Sequence, residues 1–179
     1  MRINYFVYFL VLMVGACKKE KPSFLSTQSE VATKTIDSIP DGGSLKLHIK
    51  HDTSIIDETV LLFQHTASSD FIPDQDARYF QGFGIAAISS ITNDNIPCAI
   101  QTLPYRSNLS LKLGIGIRQS GTYMIGISSA NKVPAGIKIL LIDSLKHDST
   151  DLRSGDFKFS TSPIEFSSPN SKRFNLLLK

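Results

Sequence analysis

The chain has 179 residues, with 19 Lys and Arg against 16 Asp and Glu and a formal net charge of +3. No Lys/Arg cluster is interleaved with aromatic residues, so nucleic acid is not an expected partner. The sequence has only two cysteines, at positions 17 and 98. A framework of several disulfides is therefore excluded, and the hydrophobic core must hold the fold together.

The N-terminus has the features of an export signal. Arg2 precedes the apolar run Tyr5–Val14, which is too short for a membrane span of about 20 residues but typical of a signal peptide. Val14–Cys17 then resembles the lipobox of bacterial lipoproteins, in which the cysteine is lipidated and becomes the first residue. The resemblance implies a signal peptide at 1–16, an acylated Cys17 and a place in the cell envelope, which we expect to be the outer membrane. An ordinary secretory signal with an incidental cysteine is the alternative.

A polar segment follows the cysteine. Lys18–Pro40 has no sustained apolar period and predicts a flexible tether with a reach of about 25–30 Å. The alternative is that ordered structure already begins at Thr33–Ile39. We therefore divide the mature chain into a lipidated cysteine with its tether, 17–42, and one domain, 43–179. With Cys17 acylated, Cys98 has no disulfide partner. Its apolar neighbours predict a small buried group rather than a nucleophile.

The first strand of the domain alternates apolar and polar residues. Leu45, Leu47 and Ile49 would face the core, while His48 would be solvated on the other face with Lys46 and Lys50. His51 would lie on the opposite face from His48, so we expect no shared metal. A second, interior strand is predicted at Thr59–His65.

The loop Ala67–Ala77 carries three carboxylates, Asp70, Asp74 and Asp76. Clustered oxygens of this kind can bind Ca²⁺. The spacing lacks the Gly and the terminal Glu of an EF-hand, and Asp is also frequent in loops because it binds nearby backbone amides. We favour the structural role, so no metal or other cofactor is expected apart from the lipid on Cys17.

The rest of the chain predicts further strands, for which the stretch Leu109–Ser128 gives the strongest pattern. Its two alternating runs flank Gln119–Gly121 and predict a β-hairpin with Ile117 opposite Tyr123. Gly114 would then lie opposite Gly126, leaving a bare patch where another group could approach the backbone. The other predicted strands lie within Gly82–Thr92, Cys98–Leu103, Ile137–Asp143, Phe157–Phe159 and Phe174–Leu178.

These patterns give about nine strands, little room for a helix, and turn signals at short intervals. They predict an all-β fold, an antiparallel β-sandwich of jelly-roll or Ig-like type.

The motifs resemble a known module, the β-sandwich domain that often precedes the sorting domain in large surface proteins of type IX-secreting bacteria. The resemblance covers roughly 43–179, and Gln75 stands where that family usually has an aromatic residue. It implies a fold and a place at the cell surface, but no reaction. The similar positions are Asp57–Val60 with Phe63, Asp70–Phe71, Asp74, Asp76–Ala77, Leu103–Pro104, Leu111–Gly114, Gly121–Tyr123, Leu140–Asp143, Asp151–Leu152, Phe157–Phe159 and Arg173–Phe174.

No motif in the sequence pairs a nucleophile with a base, and the four histidines are scattered. We therefore predict a protein that is not an enzyme but a structural or protein-interaction module. Its partners would be the membrane, through the anchor, and other envelope proteins, through the loops Ala67–Gln81 and Ile142–Ser154. The alternative is a carbohydrate-binding surface module that contacts glycans through Tyr79, Phe80 or Tyr105.

Overall fold

The computed structural model describes residues 38–80, 82–162 and 173–179. The predicted signal peptide, Cys17 and most of the predicted tether lie outside these residues. The described residues form strands and no helix, so none of them belongs to a helix that could cross a membrane. The strands are β1 Gly43–His51, β2 Ser54–Phe63, β3 Ala77–Arg78, β4 Ala86–Ile91, β5 Pro97–Leu103, β6 Leu109–Ile117, β7 Gly121–Asn131, β8 Ile139–Asp143, β9 Asp148–Asp151, β10 Phe157–Thr161 and β11 Phe174–Leu178.

The strands form one mixed sheet in the order β10-β7-β1-β2-β5-β4-β6-β11-β8-β9, and β3 pairs with β5 beside this path. Among the strands that the structure describes, only β2 and β5 are parallel neighbours. The sheet curves until it nearly closes on itself. The rings of Phe159 in β10 and Phe174 in β11 are 5.0 Å apart, although six strands lie between β10 and β11 in the hydrogen-bonded order.

Strand β5 connects the two halves of this sheet. Its first residues, Pro97 and Cys98, pair with the end of β4, whereas Ile100–Leu103 pair with β2. The all-β prediction is confirmed, and the described residues form eleven strands rather than about nine. The two additional strands, β3 and β9, are short and lie in segments predicted to be loops.

The predicted hairpin is wrong. Strand β6 pairs with β4 and β11, and β7 pairs with β1 and β10. Gly114 therefore lies opposite Ser89, and Gly126 lies opposite His48. The alternation in each strand identified its buried face correctly, but alternation does not specify which strand is the neighbour.

The core is built from the inward-facing residues of this alternation. Its largest fully buried side chains are Tyr123, Phe63, Phe159 and Phe174. Ile39, inside the predicted tether, is also buried in this core.

Cys98 is buried, as predicted, and burial raises the pKa of its thiol to about 12. A thiol in this state is a poor nucleophile at neutral pH.

Candidate functional site

The two most exposed aromatic side chains of the described residues, Phe80 and Phe83, belong to a segment that lies beside the start of β2. Phe83 is 101% exposed, Phe80 is 83% exposed, and Ile55, at the start of β2, is 51% exposed. We call Ile55, Phe80 and Phe83 the aromatic tip. Phe80 also lines a cavity of about 120 Å³, together with Ile56, Asp57, Tyr79, Gly82, Gly84 and Ala86.

Polar contacts beneath the aromatic tip hold it in place. The Tyr79 hydroxyl donates to Asp57 Oδ2 (3.0 Å), which also accepts the Ile88 amide (3.0 Å). Burial, followed by the charge of Asp57, raises the pKa of Tyr79. Arg118 donates to the Gly82 carbonyl (3.0 Å). These contacts tie the segment that carries the aromatic rings to β2, β4 and β6.

The aromatic tip and the point where the chain enters the domain lie at opposite ends of the β1–β2 pair. Gly43, next to the chain entry, is opposite Phe63, whereas Lys50 is opposite Ile55. A strand of this length spans roughly 27 Å. The aromatic tip is therefore remote from Gly43, at the start of β1.

The three aromatic residues predicted as glycan contacts do not form one site. Tyr79 and Phe80 line the same cavity, with Tyr79 partly buried and Phe80 exposed. Tyr105 packs against the core, and its ring meets the edge of Phe63 at 6.1 Å. Phe83, the most exposed aromatic residue described, was not among the predicted contacts because its position between two glycines gave no pattern.

The three predicted carboxylates of the Asp loop have different environments. Asp76 is buried, and its two oxygens accept the amides of Ile72 and Thr102, both at 2.7 Å. Asp70 and Asp74 are exposed. In the described part of the chain, no group of three His, Cys, Asp or Glu side chains is placed to hold a metal ion.

A second polar cluster lies on the outer face of the sheet. His48 was predicted to be solvated, and this is wrong, because only 3% of it is exposed. Its Nδ1 lies 3.0 Å from Ser128 Oγ, and its Nε2 lies 3.3 Å from Asp156 Oδ2. We use the name His48 network for His48 and the residues linked to it, which are Lys46, Lys50, Glu58, Ser128 and Asp156.

The His48 network contains a Ser–His–Asp chain, the set of residues used in many hydrolases. In such enzymes the serine proton points to the histidine, which removes it. Here the Ser128 hydroxyl donates to Glu58 Oε1 at 2.5 Å. This bond is the main cause that lowers the pKa of Glu58, and Lys46 at 3.4 Å adds to the effect. Ser128 therefore has no activated hydroxyl.

Gly126 makes room for the His48 network. A Cβ atom at Gly126 would lie 1.9 Å from Asp156 Oδ1 and 2.8 Å from His48 Nε2. The sequence contained this signal, since a glycine within an alternating strand predicts a close approach to the backbone. The wrong hairpin register hid which residues approach.

No protein-family model, no curated protein and no solved structure matches this chain. The resemblance to the surface-protein module is carried by the motif residues alone. In the structure Asp57, Asp76 and Asp143 each accept backbone amides. These three motif positions therefore stabilise loops and strand ends.

Proposed function

We propose that the protein is a lipid-anchored lipoprotein of the cell envelope, at the outer membrane, and acts as a non-catalytic structural or protein-interaction module. The aromatic tip is the observation that supports this most directly. Exposed apolar side chains that cluster at one place on a domain are typical of interaction sites. Aromatic residues are also enriched where proteins bind one another.

The position of the aromatic tip fits an anchored module. Lipid on Cys17 would hold the chain entry towards the membrane, and the tip lies at the far end of the β1–β2 pair. Phe80 and Phe83 would then face away from the anchoring membrane, towards other envelope or surface proteins.

The titratable groups support a non-catalytic role. The Ser128 proton is donated to Glu58, the Cys98 thiol is buried, and both oxygens of Asp76 bind backbone amides. These side chains have structural partners that account for their positions.

For the fold we propose a β-sandwich of jelly-roll or Ig-like type. Strand β5 would pass from one sheet to the other, because its two ends pair with different strands.

Crosslinking in the native envelope tests the interaction role. The double variant Phe80→Ser/Phe83→Ser should fold normally and lose partners that the wild-type lipoprotein recovers. Leu145→Ser is the matched comparison, since Leu145 is 70% exposed and lies outside the tip, in the second predicted contact loop, Ile142–Ser154. Loss of partners in Leu145→Ser alone would assign the contact to that loop instead of the tip. Full recovery of partners by the double variant would contradict the role of the tip.

Substitution of single side chains is preferable to replacing the loops Ala67–Gln81 and Ile142–Ser154. Each of these loops contains a buried carboxylate, Asp76 or Asp143. Loss of either carboxylate would leave backbone amides without partners, so a replaced loop would change folding as well as binding.

The anchor is tested separately with Cys17→Ala. This variant should stop signal-peptide processing and carry no incorporated palmitate. A Cys17→Ala protein that is still processed at this site and partitions into detergent like the wild type would contradict the anchor.

Carbohydrate binding is the second candidate, favoured by the cavity that Tyr79 and Phe80 share. An exposed ring beside polar groups is suited to stacking on a sugar. Retention of the purified protein on a glycan array, lost in Phe80→Ala and kept in Leu145→Ala, would support this function over protein binding. Absence of retention on any glycan would contradict it.

A further inference from the structure

The hydrogen bonds of the His48 network define where its protons lie. The Ser128 hydroxyl has one proton, and its 2.5 Å bond to Glu58 uses it. His48 Nδ1 must therefore donate to Ser128 Oγ. His48 Nε2 faces the Asp156 carboxylate, which accepts a hydrogen bond and cannot donate one when ionised. A histidine that donates from both nitrogens is an imidazolium.

The charged groups around His48 balance this extra proton. Strand β1 contributes Lys46 and Lys50, β2 contributes Glu58, and the segment before β10 contributes Asp156. Lys158 in β10 lies on the same outer face as Lys50, since both residues are register partners of Met124. Two carboxylates thus lie among three lysines and the imidazolium.

The segment that His48 holds leads into an edge of the sheet. Strand β10 pairs with β7 and occupies the end of the strand order. Asp156 directly precedes β10, and its carboxylate bonds to His48 and Lys50 on β1. Asp156 therefore fastens the start of β10 to a strand with which β10 itself does not pair.

We propose that His48 is a latch, in which the imidazolium fastens the segment 152–156 and the start of β10 to the outer face of β1 and β7. A neutral ring can donate from one nitrogen only. A neutral His48 would leave either Asp156 or Ser128 without its donor and would hold the segment less firmly.

The latch has an acid limit. Burial acts to raise the pKa of Asp156, but the hydrogen bonds and the charges of Lys50 and His48 together outweigh burial and lower it. The latch is therefore intact in mild acid, and it opens at low pH as Asp156 is protonated.

Two measurements on the full-length lipoprotein in detergent test the latch. Nitrogen NMR of the His48 ring should show protons on both nitrogens at pH 6. The protection factors of the amides at Gly155–Phe159, in which the pH dependence of intrinsic exchange is already removed, should fall as acid protonates Asp156. Asp156→Asn should remove this pH dependence. Asp52→Asn, which alters an 84% exposed acid beside His51, should leave it unchanged.

An unprotonated ring nitrogen on His48 at pH 6 would overturn the proposal. This NMR measurement is made on the wild-type protein and needs no variant. Protection factors at Gly155–Phe159 that do not follow the titration of Asp156 would also overturn it. The same would follow if the Asp156→Asn protein kept the wild-type pH dependence.

Discussion

Arg173 and Asp143 form a bidentate ion pair inside the domain. Arg173 Nε donates to Asp143 Oδ1 (3.1 Å), and Nη2 donates to Oδ2 (2.9 Å). Asp143 is fully buried at the end of β8, and Arg173 is 7% exposed just before β11. The guanidinium also lies over the Phe159 and Phe174 rings, 5.1 and 4.6 Å from their centroids. One arginine thus joins β8, β10 and β11.

Removing the arginine should destabilise the fold strongly. Arg173→Met keeps most of the side-chain volume but leaves the Asp143 carboxylate buried without its partner, at a cost of about 3–5 kcal/mol. Arg106→Met is the matched control at an exposed position and should cost under about 0.5 kcal/mol. Urea denaturation measures both, and equal midpoints for the two variants would contradict a structural role for the pair.

The ion pair between Arg173 and Asp143 should also make the free energy of unfolding depend on pH in the acid range. Burial acts to raise the pKa of Asp143, but the bonds and the charge of Arg173 outweigh burial and lower it. A lowered pKa stabilises the fold above the unfolded-state value of about 3.9, and this contribution is lost as pH falls through the folded-state value.

Asp143→Asn should therefore narrow the difference in unfolding free energy between pH 7 and pH 3. Asp74→Asn, at an exposed position, serves as the control and should preserve that difference. Urea titrations at the two pH values give the comparison. A wild-type difference retained in Asp143→Asn would show that another group causes the acid sensitivity.

Gly126→Ala should destabilise the protein by about 1–3 kcal/mol, because the new methyl group displaces the Asp156 carboxylate. Gly136→Ala is the control, since a Cβ atom there meets nothing within 4 Å.

A double-mutant cycle tests whether displacement of the Asp156 carboxylate causes the loss of stability in Gly126→Ala. If Gly126→Ala acts through Asp156, its cost should shrink in the Asp156→Ala background. Full additivity of the two substitutions would contradict this explanation.

The Asp70, Asp74 and Asp76 loop is expected to bind no Ca²⁺ tightly. A site occupied at 100 times its dissociation constant would add about 2.7 kcal/mol to stability. Millimolar Ca²⁺ should therefore leave Tm nearly unchanged, as should Mg²⁺ at the same ionic strength. A rise of several degrees with Ca²⁺ alone would reverse the expectation.

Local patterns predicted the strands well and their neighbours poorly. Alternation places Leu113 and Ile125 in the core, and both are fully buried. It contains no information on pairing, so consecutive strands β6 and β7 appeared to form a hairpin although they lie in different parts of the sheet. Strand β9 escaped prediction because its four residues, Asp148–Asp151, are all polar.

The candidate site residues also show that local sequence patterns do not reveal contacts with distant parts of the chain. His48 belongs to the outward face of β1, as its position in the pattern indicates. It is buried because Asp156, 108 residues later in the chain, folds back onto it. A contact of this range leaves no local trace except the glycine that makes room for it.

The measurement that tests the proposed function most directly is photo-crosslinking in living cells, with a photoreactive residue at position 83 or position 145 of the full-length lipoprotein. Both positions are occupied by exposed apolar side chains, but only Phe83 belongs to the aromatic tip. We predict discrete protein adducts from position 83 and none of them from position 145. Adducts absent from position 83, or identical at the two positions, would contradict the account.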